Sequence, residues 1–77
     1  MKLTKFDVGQ KVFYLKNGKI VGKEIHSITI EIYAKETLTR YFFKFKSIDY
    51  VGDYYFDSKR ESELFESEDK LKKHLSN

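Results

Sequence analysis

Polar and apolar residues alternate most clearly between Val8 and Tyr33, VGQKVFYLKNGKIVGKEIHSITIEIY. Asn17-Gly18 divides this stretch. The pair tolerates positive φ at both positions, as a two-residue type I′ turn requires. The turn predicts a hairpin in which Lys16 faces Lys19, Leu15 faces Ile20, Tyr14 faces Val21 and Val12 faces Lys23. One face then carries Val12, Tyr14, Val21 and, further on, Ile25; the other carries Phe13, Leu15 and Ile20. Both faces are apolar, so each needs a cover. Beyond the hairpin, Ile28, Ile30 and Ile32 alternate with Thr29, Glu31 and Tyr33, the period of a half-buried strand. Their parity is even, whereas that of Val21 and Ile25 is odd. A bulge or sharp bend at His26-Ser27 reconciles the two. A long second strand bent in its middle is how a five-stranded barrel turns its corner.

The same reading covers the rest of the chain. Lys5 to Gln10 is a lead-in anchored by Phe6 and Val8, with a turn at Asp7 and Gly9. Ala34 to Leu38 is a polar connector. Thr39 to Lys46 is a strand with Tyr41, Phe43 and Phe45 inward and Arg40, Phe42, Lys44 and Lys46 outward. Ser47 to Asp53 is a turn and Tyr54-Tyr55-Phe56 a short strand. Asp57 to Ser62 is expected to be a mobile polar loop. Glu63-Leu64-Phe65 adds one more short strand. A helix spans about 67–75, capped by Ser67, with Glu68 and Asp69 in its first turn and Lys72, Lys73 and His74 in its last. So short a helix must dock to persist, and the Phe13, Leu15 and Ile20 face is the natural place. The fold class expected is mainly β: one domain over 1–77, a small barrel of about five strands with a short C-terminal α-helix.

Size and composition add constraints. A chain of 77 residues hides only about 60% of its unfolded surface. There is no cysteine to cross-link it, so seven Phe and six Tyr must fill the core, each burying up to about 150–250 Å². Homo-oligomerisation is a second way to compensate. Lack of cysteine and of an apolar leader leads to a cytoplasmic expectation. No unbroken apolar run exceeds four residues, so no membrane helix is expected.

Charge is uneven. Residues 1–46 hold ten Lys/Arg against four Asp/Glu, and residues 47–77 hold five against eight, giving +6 and −3. The barrel-forming part is therefore basic and the tail acidic.

The run Val8 to Val12, then Asn17-Gly18, then Val21, Ile25 and Ile28, resembles the opening of SH3-like barrels of the Tudor and KOW kind. Those begin with a Gly, a hydrophobic strand, a tight turn and a bent second strand. The close from Leu64 to Leu71, LFESEDKL, resembles that of small bacterial and phage proteins of similar size. The resemblance implies a barrel and a binding role, and no activity.

Catalytic chemistry finds little to work with. Only His26 and His74 are present, and His26 reads as a bend residue. No common zinc spacing exists, and Asp49, Asp53 and Asp57 do not form a calcium loop. The four glycines form no nucleotide-binding spacing. No catalytic residue, metal site or cofactor is expected.

Two binding roles remain. The favoured one is a protein-interaction module, its candidate contacts the aromatics Tyr33, Phe42, Tyr50 and Tyr54. The alternative is a nucleic-acid-binding barrel in which Lys11, Lys16, Lys19, Lys23, Arg40, Lys44 and Lys46 meet phosphates and Tyr33 or Phe42 stacks on bases. Whether the outward lysines and outward aromatics share one patch would discriminate between them.

Overall fold

In the computed structural model, which describes residues 3–49 and 51–76, Asn17 and Gly18 both take positive φ (52° and 77°). They join β1 (Lys11–Lys16) to β2 (Lys19–Glu24) in the register the turn dictates, Lys16 opposite Lys19 and Val12 opposite Lys23. The corner falls at Ile25-His26. Ile25 N–H donates to the Gln10 carbonyl at 3.0 Å, back toward β1, while His26 N–H donates to the Phe42 carbonyl at 2.8 Å. Within one residue the chain changes partner strand. It continues as β3 (Ser27–Ile32), which pairs with β4 (Thr37–Lys46); β4 pairs in turn with β5 (Tyr54–Arg60). A 3₁₀ turn at Glu61–Glu63 and helix α1 (Glu68–Ser76) complete the chain. The protein is mainly β; the described residues form five strands in two antiparallel sheets and one short C-terminal helix.

The two sheets face each other across one core. Val12, Tyr14 and Ile25 come from the hairpin side and Tyr41 and Phe43 from β4, with Phe6 and Leu64 at the margins. Val21, Ile28 and Phe45 pack against them. Tyr41 stays buried because its hydroxyl is occupied: it donates to Glu61 Oε1 at 2.9 Å and accepts a long bond from Phe6 N–H at 3.4 Å. Lys5 N–H donates to the same Glu61 oxygen at 2.6 Å. The lead-in is thereby pinned over the Tyr41 ring, whose contact with Phe6 is edge-on at 5.7 Å.

After the 3₁₀ turn, Phe65 returns to β1. Phe13 and Phe65 exchange both backbone bonds, at 2.8 and 2.9 Å. Ser67 caps α1 by accepting from Lys70 N–H at 3.2 Å. The helix lies against β1 with Leu71 buried, and the His74 ring sits 5.1 Å from that of Phe65. No helix among the described residues is long and apolar enough to cross a membrane.

Four expectations need correction. Asp57 to Arg60 is not loop but the second half of β5, paired with Phe43 to Arg40. β4 is ten residues long and offers backbone partners that a polar sequence accepts as readily as an apolar one, so cross-strand context overrides composition. β4 also begins at Thr37, within the segment read as connector; the turn before it is closed by Tyr33 N–H on the Glu36 carbonyl at 2.8 Å. Val8 is no anchor, being 62% exposed. Ile30 and Ile32 are exposed as well, Ile32 by 81%. Their row continues past the core, opposite Thr39 and Thr37, which supply no large partner.

Candidate functional site

Residues directly opposite in an antiparallel ladder point to the same side of the sheet. The register therefore assigns the outer face of β3–β4–β5. On β4 it carries Arg40, Phe42, Lys44 and Lys46. Opposite them on β5 stand Arg60, Ser58, Phe56 and Tyr54. Ser27, Thr29 and Glu31 complete the face from β3. Its strand positions hold four cations and one carboxylate. That carboxylate, Glu31, is already engaged, with Arg40 Nε 3.4 Å away and the Tyr33 hydroxyl donating to it. Glu31 pushes the Tyr33 phenol above its ordinary pKa through that bond.

The rings on this face are wet. Phe56 is 53% exposed, Tyr54 48% and Tyr33 51%; Phe42 is half-buried at the centre. Lys44 Nζ lies 4.1 Å from the centre of the Tyr54 ring, and the His26 ring lies 5.2 Å from that of Phe56. His26 reaches Phe56 because the corner at Ile25-His26 turns it out of the β2 alternation. The six residue steps on β4 from Arg40 to Lys46, at about 3.3 Å per residue, stretch the face over roughly 20 Å.

Beside the platform, between β2 and β4, runs an open cleft of about 480 Å³ lined by Lys11, Lys23, Lys44 and His26 with Gly22, Glu24 and Ile25. Lys44 and His26 belong to both features. A methyl at Gly22 would come within 2.6 Å of the Phe13 ring, so the missing side chain lets β1 and β2 keep their ring contact at the cleft edge.

Of the residues singled out from sequence, Phe42, Tyr54, Arg40, Lys44 and Lys46 are brought together, with Tyr33 at the rim. Lys11 and Lys23 join through the cleft. Lys19 stands apart, exposed at the hairpin tip. Lys16 is committed elsewhere: its ammonium hydrogen-bonds Asp57 and lies 4.3 Å from the Phe45 ring centre and 5.0 Å from that of Tyr55. The Asp57 bond, first among the influences, raises the Lys16 pKa. Tyr50 lies outside the described residues. Phe56, Arg60 and His26 were missed. The alternation Tyr54, Phe56, Ser58, Arg60 signals Phe56 and Arg60, but the loop-like composition of 57–62 hides its second half. Among the described residues, no three His, Cys, Asp or Glu side chains are grouped as a metal ion would need.

No protein-family model matches the chain, and no curated protein or solved structure is significantly similar to it.

Proposed function

We propose that the protein is a non-enzymatic binding module whose β3–β4–β5 outer face takes single-stranded nucleic acid. One observation carries this reading: Arg40, Lys44, Lys46 and Arg60 share a sheet face with Phe42, Tyr54 and Phe56. A sheet face of cations and exposed rings suits unpaired bases, which offer a π-face to the rings and a phosphate to the cations. Paired bases in a duplex hide those faces. This ranks above the protein-interaction role that the sequence favours, because a protein partner has no general need of alternating rings and cations. For the architecture we propose an SH3-like barrel. The bent passage from β2 to β3 and the return of Phe65 to β1 support it, since closure requires the chain's end to meet its beginning.

A second reading, a protein partner, is favoured by the loop before β5, where Ile48 and Val51 are fully exposed and Val51 lines one hollow with Tyr54.

Fluorescence anisotropy of a labelled thymidine decamer tests the first reading. Binding is expected to fall steeply with salt, to exceed binding of an equally long duplex, and to weaken in Phe56→Ala by about 1–3 kcal/mol, the worth of one base–ring stack. A flat signal at about 50 mM salt, or equal affinity for duplex, rejects it. A flat signal together with a lysate partner that Ile48→Asp releases favours the second.

A further inference from the structure

We infer that the cleft between β2 and β4 is the phosphate channel of the same site, so that a bound strand leaves the ring platform across the Ile25-His26 corner. The inference rests on the single-strand reading above and adds the path and the groups that hold the backbone.

Three features support it. First, the cleft is continuous with the platform through Lys44 and His26: Lys44 stands over Tyr54 and His26 against Phe56, and both line the cleft. A base stacked on Phe56 or Tyr54 therefore has its phosphate within reach of the cleft. Second, its ammoniums are free for an anion. Lys16, Arg40, Lys59, Lys70 and Lys72 each pair with a carboxylate, whereas among the described residues Lys11, Lys23 and Lys44 pair with none. Glu24 contributes one carboxylate against these three cations. Third, two of the ammonium heads already lie against rings. Lys23 Nζ lies 4.8 Å from the Phe45 ring centre and Lys11 Nζ 5.6 Å from that of Phe13. Such contacts lower the entropy lost when a lysine head grips a phosphate.

The cleft thus suits the backbone of a flexible strand, with its phosphates on Lys11 and Lys23 and its bases on the platform.

The test measures decamer affinity against salt for the wild type, for Lys11→Gln/Lys23→Gln, for Phe56→Ala, and for Lys72→Gln/Lys73→Gln on α1, which removes equal charge away from the cleft. On a log–log plot each phosphate contact with a single strand contributes a slope of about 0.7. The cleft double variant is expected to be shallower by about 1.4. The α1 variant should keep the wild-type slope, and Phe56→Ala should lose affinity while keeping the slope. A cleft variant indistinguishable from the α1 variant, with Phe56→Ala still impaired, overturns the channel and leaves the platform standing. Absence of wild-type binding at low salt removes both. Circular dichroism of each variant confirms that a changed slope comes from a folded chain.

Discussion

The two faces of β4 come from one run of ten residues, yet they lead different lives. Tyr41 and Phe43 point inward and are fully buried; Phe42 is half-buried and Lys44 and Lys46 look outward. On the inner face the Phe43 ring lies against Tyr14 of the hairpin and the Tyr41 ring against Phe6 of the lead-in, so their burial stabilises the fold. On the outer face rings stand beside cations in water, where they contribute little to stability and remain available to a ligand. The comparison teaches that an aromatic-rich strand can serve core and surface together, and that chemistry, not ring count, tells the two apart.

The contrast is tested most severely at Phe43. Its ring lies 4.8 Å from that of Tyr14, and Phe43→Ala should cost about 3–5 kcal/mol in urea denaturation. That is a large part of the roughly 5–15 kcal/mol that holds a domain together. A loss below about 1 kcal/mol would mean the inner face collapses easily and is no true core.

The rim where the faces meet should respond less. Lys16 ties the hairpin tip to β5 through Asp57 and Tyr55 and to β4 through Phe45, whose ring stacks on that of Tyr55 at 5.4 Å. Lys16→Met keeps the stem but leaves Asp57 alone, and should lower stability by about 1 kcal/mol. Thermal unfolding at low and high salt measures it, with a smaller difference at high salt.

Tyr14 should respond in the opposite direction. Its hydroxyl is buried without a hydrogen-bond partner among the described residues, so Tyr14→Phe should raise stability by about 1 kcal/mol. Burial, followed by the charge of Asp57, also lifts the Tyr14 phenol well above its ordinary pKa. The unfolded chain releases this proton from about pH 10 upward while the folded chain retains it. The contribution is therefore complete below about pH 10 and declines as pH rises further. Tyr14→Phe removes that part of the alkaline loss, which denaturation midpoints between neutral and alkaline pH will report.

The smallest effect belongs to the outer face. Phe56→Ala should leave stability within about 0.5 kcal/mol of the wild type, although it should impair binding. A large destabilisation would make Phe56 a packing residue and dissolve the distinction between the faces.

Much of this was legible from local chemistry. Asn17-Gly18 dictated the hairpin and its register, the parity change from Ile25 to Ile28 placed the corner at His26-Ser27, one residue beyond the observed Ile25-His26, and Ser67 marked the start of the helix. Each signal depends on neighbours along the chain: a backbone angle, a two-residue period, a hydroxyl near a free N–H. The inward set on β4 was readable for the same reason. The site was readable only in pieces. Arg40, Phe42, Lys44 and Lys46 were evident as an outward row, but their β5 partners were not. Asp57 to Arg60 has the composition of a loop, and only the register against β4 reveals it as strand.

By itself, then, the sequence determined where the chain turns, which residues alternate and which end is basic, because those depend on contacts a few residues apart. The tertiary structure alone decided that Lys16 is spent on Asp57, that Ile30 and Ile32 overrun the core, and that Phe56, Arg60 and His26 join the β4 cations. These outcomes depend on which strand lies beside which, and no local period carries that information.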